Sequence, residues 1–145
     1  MAGKAELLRL MSSFQSAVAV TPHDPHWRDQ VSERLTGLRR AFAEHVGATE
    51  GPDGLYHQLV AQAPRLVPGV HGLVRDHREL LDAMEGLERR FCPEAEAASE
   101  PESGDPDVDQ LRGWARQLIR ELYEHRQRGA DLVYEAYGTD IGGET

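Results

Sequence analysis

The chain has little cysteine, few aromatic residues and no long apolar run. Among 145 residues there are one cysteine and nine aromatics. The single cysteine, Cys92, excludes an intramolecular disulfide framework and a zinc cluster built on thiolates, and it suits a reducing compartment. No stretch approaches 18 apolar residues, so no membrane-spanning helix is expected. Positive charge is scarce as well. Lys and Arg number 16 against 25 Asp and Glu, a net charge of −9, which argues against a dedicated nucleic-acid surface. No glycine-rich loop joins a strand to a helix to cradle a phosphate, no nucleophile elbow occurs, and no alternating strand pattern is present. A cytoplasmic protein of one domain, residues 1–145, is the expectation.

What the chain does have is seven histidines and a local excess of acid. Residues 93–109 (PEAEAASEPESGDPDVD) hold seven acids and no base. Within them, 93–106 lacks any apolar residue larger than alanine. It reads as an acidic mobile loop before the last helix.

The rest reads as helices separated by punctuation. Residues 4–18, within an N-terminal segment 1–20, place Leu7, Met11, Phe14 and Val18 on one face. Lys4, Glu6 and Arg9 ahead of Leu10–Val20 loosely imitate a signal peptide. Ser12, Ser13, Gln15 and Ser16 spoil its apolar region, so an amphipathic helix is the better reading.

A second helix is expected to open at Asp24-Pro25, an N-cap residue followed by proline at the first helical position. It carries Trp27, Val31, Leu35, Leu38, Phe42 and His45 on a core-facing stripe and stops before Gly51. A short helix over Leu55–Ala63 follows. The third long helix, Gly69–Phe91, has Val70, Leu73, His77, Leu80, Met84, Leu87 and Phe91 on its stripe. The last is expected from Asp105-Pro106 to Gly138, with Leu111, Trp114, Leu118, Leu122, His125, Gly129, Leu132 and Ala136 facing inward. The residues Tyr134–Gly143 then suggest a helix end and a tail folding back on the bundle. The pattern predicts an all-α four-helix bundle with a short extra helix.

Three long helices thus each carry one histidine on an apolar stripe: His45, His77 and His125. A single imidazole at such a position is ordinarily a hydrogen-bonded core residue. Three on three helices would converge. Facing neutral rings cannot satisfy one another, whereas a metal ion accepts a nitrogen from each and leaves the other N–H for a carboxylate or carbonyl. The acids that precede them, Glu44, Asp76 and Glu124, lie about 100° round the helix and so face solvent or stand behind the rings. Glu50, five residues after His45, is the candidate carboxylate ligand; a surface glutamate at a helix end is the plainer alternative. Asp131 is badly phased for His125. His23, His26, His57 and His71 sit at caps, on the short helix or off the stripes, with surface roles expected. Cys92 reads as an ordinary thiol at a helix end.

Three segments carry a resemblance. Phe42–Glu50 (FAEHVGATE), Arg75–Leu81 (RDHRELL) and Leu118–Tyr137 (LIRELYEHRQRGADLVYEAY) resemble the bacterial hemerythrin-like, or HHE cation-binding, domain. With Trp27–Leu38 and Pro64-Arg65-Leu66, the likeness extends over residues 25–143. It implies a hemerythrin-like four-helix bundle that holds non-haem iron. It also implies a role in binding or sensing oxygen, nitric oxide or redox state. His45, His77 and His125 match histidine-ligand positions, and Glu50 matches an acid ligand.

The acids expected four or five residues after the other histidines are absent. Leu81 and Asp82 follow His77, and Gly129 and Ala130 follow His125. The resemblance therefore leaves open a di-iron site, a reduced mononuclear site with iron or zinc, and a bundle without metal. The last would act as an interaction or regulatory module. Partners implied are a small diatomic ligand or a redox signal, without nucleic acid or membrane, in a monomer or dimer. No substrate pocket or proton donor can be assigned, so a binding protein is expected rather than an enzyme.

Overall fold

A computed structural model describes residues 4–20, 24–91 and 107–142. All regular structure among them is helical: α1 (Lys4–Ala19), α2 (Trp27–Glu50), α3 (Leu55–Gln62), a 3₁₀ turn at Pro64–Leu66, α4 (Val67–Phe91) and α5 (Val108–Gly142). No helix among the described residues is long and apolar enough to cross a membrane. The acidic segment 93–106, Cys92 and His23 lie outside the described residues.

Helix α2 opens at Trp27, not at Asp24-Pro25. The Asp24 carboxylate accepts the His26 backbone N–H at 2.8 Å, and the Asp24 carbonyl accepts the Trp27 N–H at 3.0 Å. Asp24 and Pro25 therefore form a turn ahead of the helix. Helix α4 begins at Val67, two residues before the expected Gly69. Pro68 falls in its first turn, where a missing N–H has no intrahelical partner to lose.

The first helical residue of α5 is Val108, and its cap is Asp107. The Asp107 carboxylate accepts the Asp109 N–H, and Gln110 Oε1 accepts the Asp107 N–H, a reciprocal capping pair. At its other end α5 continues through Gly138 to Gly142. Residues 138–142 prolong the helix where a tail folding back was expected.

Four helices form a closed ring. Helix α1 packs on α2 and α5, α2 packs also on α4, and α4 packs on α5. The N-terminal helix is thus the fourth helix of its own bundle. The stripes read from the sequence are its interior: Met11, Phe14, Trp27, Val31, Leu35, Leu38, Met84, Leu87, Leu111 and Leu118 belong to one apolar core. Trp27 anchors its far end, with its indole N–H donating to the Val18 carbonyl at 3.3 Å and its ring 5.9 Å from Phe91.

A second, smaller core lies at the opposite end. Helix α3 and the 3₁₀ turn lay Tyr56, Leu59, Ala63 and Leu66 against Val70, Leu73, Leu132 and Ala136. The turn that brings α3 there depends on Gly54. A Cβ at Gly54 would stand 2.6 Å from the Thr49 carbonyl oxygen, so only glycine lets the chain pass so close under the end of α2.

Candidate metal centre

The junction between the two cores is polar. Along α4, His77 falls between Leu73 of the small core and Leu80 of the large one. On α5, His125 falls between Leu122 and Leu132 in the same way. On α2, His45 follows Phe42, the last buried large-core residue of that helix. Helical periodicity put all three on the stripes, and the bundle brings the stripes together at this level. His77 and His125 are buried and His45 is half-buried.

The three rings meet. Centroid distances are 4.8 Å for His77–His125, 5.0 Å for His45–His77 and 6.0 Å for His45–His125. One ligand nitrogen from each lies within 4.8 Å of the others, and these are the only three residues among those described that gather in this way. Phe42 forms the floor, its ring 5.4, 5.5 and 5.9 Å from His45, His77 and His125.

Each buried ring is held from behind by a carboxylate on another helix. His77 Nδ1 lies 2.6 Å from Glu50 Oε2, and His125 Nδ1 lies 2.8 Å from Asp76 Oδ2. An ionised carboxylate only accepts, so each Nδ1 carries the proton and donates it. The lone pair of each ring is then on Nε2. That tautomer and that backing carboxylate are what a metal-ligating histidine requires.

Tyr56 completes the arrangement. Its hydroxyl is 3.1 Å from His77 Nε2 and donates to it, and its ring stacks on His77 with centroids 5.5 Å apart. Burial pushes the Tyr56 phenol up to about 12, opposed by the Thr49 hydroxyl and reinforced by the Glu50 and Asp76 charges.

The electrostatics keep His77 neutral. Burial lowers its proton affinity below the usual imidazole value, and this outweighs the Glu50 carboxylate that would raise it. Asp76 is held below the ordinary carboxylate range. Burial alone would raise it, but hydrogen bonds from His125 and Arg128 prevail, the latter with Nη2 at 2.9 Å.

Beside the rings lies a cavity of about 90 Å³. His45, His125, Thr49 and Tyr56 contribute its polar wall, and Leu7, Met11 and Leu59 are among its apolar residues. Helix α1 brings no histidine to this level, only apolar wall. Gly129 and Ala130 also line the cavity, at the positions where the resemblance would require acids after His125. Leu81, after His77, packs against the large core, and Asp82 is exposed.

The structure brings His45, His77 and His125 together as expected. Glu50 arrives by a different arrangement from the one its spacing suggested. Its carboxylate meets His77 across the bundle and stands behind the ring, outside the group of three ligand atoms. Asp76, which precedes His77 in the chain, serves His125. Asp131 is exposed and accepts from Gln127. His26, His57 and His71 are exposed. Tyr56 and Thr49 were missed by the sequence reading, although the Gly51–Gly54 turn that returns Tyr56 beneath the end of α2 was visible as punctuation. No family model matches the chain, nor does any curated protein or solved structure.

Proposed function

We propose that this chain is a metal-binding bundle of the hemerythrin-like kind, holding one transition-metal ion on His45, His77 and His125. The reading is carried by one observation: three imidazoles from three helices converge within 4.8 Å, two of them oriented by carboxylates on neighbouring helices. Three imidazoles with no carboxylate among the gathered atoms suit a single ion and leave two irons short of bridging ligands. Neutral imidazoles accept iron, zinc or copper. Iron is the assignment that goes with the resemblance.

Bound there, the ion would supply an open coordination position for a small molecule such as oxygen or nitric oxide. The chain's own groups prepare the place. Glu50 and Asp76 fix the tautomers of His77 and His125, Phe42 closes the floor, and the mainly apolar cavity has room for a small molecule. A role in oxygen, nitric oxide or redox binding or sensing follows from that combination. Metal analysis of protein purified without chelator and supplied with ferrous iron tests it. About one metal per chain is expected, lost in His77→Ala and His125→Ala. Wild type with less than about 0.2 per chain, after iron and after zinc, overturns it.

A second reading has its own observation. The Tyr56 hydroxyl already satisfies His77 Nε2, so His77 has partners on both nitrogens without an ion. On that reading the layer is a hydrogen-bonded core of a metal-free interaction or regulatory module. His45→Ala, His77→Ala and His125→Ala would then change stability and nothing else.

A further inference from the structure

On the outer side of His77, between α3 and α4, lies a cleft of about 270 Å³. Glu50, Tyr56, His57 and His71 line it, together with valines of both helices. Two of these residues, Glu50 and Tyr56, are the hydrogen-bond partners of His77. The wall between cleft and histidine cluster is therefore one side chain thick. The other two, His57 and His71, are exposed and have no part in the cluster.

We infer that this cleft is the route by which a hydrated divalent transition-metal ion reaches the cluster, with His57, His71 and Glu50 as the groups that capture it. The inference rests on the metal-binding reading above. Other openings toward the cluster, among the described residues, differ from this cleft in chemistry.

The cavity walled by α1 is mainly apolar, with Leu7, Met11 and Leu59 among its residues, and Arg126 on its lining presents a positive charge to an incoming cation. The groove between α4 and α5 is acidic, with Glu79, Glu121 and Glu124 beside Asp76, but it offers no imidazole, and Arg128 sits at 2.9 Å on the one carboxylate that touches the cluster. The cleft between α3 and α4 offers two imidazoles, which suit divalent transition metals, beside a carboxylate, and these can replace water one at a time. Glu50 is the hinge of the transfer. Its side chain is 31% exposed, so the carboxylate that orients His77 is itself within reach of an ion in the cleft. A shift of the Tyr56 hydroxyl from Nε2 then opens that lone pair. The apolar cavity is left to neutral molecules, so cation and small ligand arrive from different sides.

Rapid mixing of the full chain with cobalt(II) tests this, following the growth of the d–d bands of the bound ion. His57→Gln/His71→Gln is expected to slow loading about tenfold, while the final amount of cobalt per chain stays that of wild type. Both positions are exposed, so the double variant should fold; its circular dichroism checks that. Equal loading rates in the two proteins, with cobalt bound in both, overturn the route while leaving the cluster reading intact. A wild-type chain that develops no d–d bands overturns the cluster reading and the route with it. An unchanged rate with a lower final cobalt content makes His57 and His71 a separate site and likewise overturns delivery.

Discussion

The large core and the histidine layer occupy the same stripes of the same helices, yet they are stabilised differently. Leu35, Leu38, Met84 and Leu111 need only to be out of water, and any neighbour of suitable shape serves. His77 and His125 need particular partners at particular atoms, and those come from other helices. A stripe of period 3.6 thus specifies depth without specifying what a polar residue at that depth will meet. The core holds the bundle together. The layer exploits its rigidity to hold three imidazole nitrogens within 4.8 Å of one another.

The sharpest way to separate the two regions is to damage one and observe the other. Trp27→Ala removes a fully buried ring from the far end of the large core, together with its contact to Phe91 and its hydrogen bond to Val18. Loss of about 3–5 kcal/mol of stability is expected, measured by denaturant unfolding. Metal content per folded chain should be unchanged. A variant that stays folded but loses metal would mean that core and layer are not separable.

Acid provides the converse perturbation, acting on the layer and sparing the core. His77 is disfavoured as a cation in the folded chain, whereas the unfolded imidazole protonates near its usual 6.5. Below that value the unfolded state binds a proton that the folded state refuses, so stability falls as the pH drops below about 6.5. Asp76 adds a second loss. Its carboxylate is held ionised below its ordinary 3.8, so the unfolded state again takes the proton first as pH falls through that range. In the metal-free protein, His77→Gln should remove the first loss and keep the second. Trp27→Ala should lower the whole curve and keep both. An unchanged first step in His77→Gln would place its origin outside the layer.

Stripe periodicity identified His45, His77 and His125 and the four helices that pack, because burial repeats along one helix and can be read from one helix. The partners could not be read that way. Glu50 is 27 positions from His77, and Asp76 is 49 positions from His125. Each meets a histidine of another helix, beyond the reach of any pattern within one helix. Helix ends were misplaced where two signals competed. Asp24-Pro25 and Asp105-Pro106 both look like starts, but α2 opens at Trp27 behind a turn and α5 at Val108 behind the Asp107 cap. Gly138 looked like a stop, but a glycine does not end a helix unless the chain turns there.

Tyr56→Phe tests whether the layer is complete without an ion. It removes the donor to His77 Nε2 and nothing from the ring's shape. In the metal-free chain a buried acceptor is left unpartnered, and stability should drop by about 1–3 kcal/mol. In the metal-loaded chain that lone pair is committed to the ion, so the penalty should shrink and the metal should be held no less tightly. Thermal unfolding of both forms measures the difference. An equal penalty with and without metal favours the hydrogen-bonded reading, in which His77 Nε2 belongs to Tyr56 throughout.

The smallest expected effect concerns how tightly the layer is packed on its open side. Gly129 lies within α5, half-buried on the wall of the 90 Å³ cavity. A Cβ there meets no atom within 4 Å. Gly129→Ala should therefore gain helix propensity without a clash, raising stability by about 0.5–1 kcal/mol. A comparable vacancy in the large core would have been filled by a side chain, since closely packed apolar surface is what stabilises it. Space kept open beside three histidines suits a layer whose stability is subordinate to access. The measurement is the denaturant midpoint of Gly129→Ala at neutral pH, beside its affinity for azide after metal loading. Higher stability with weaker azide binding is the result that sets the layer apart from the core. Lower stability would show that the cavity wall at Gly129 is packed like the core after all.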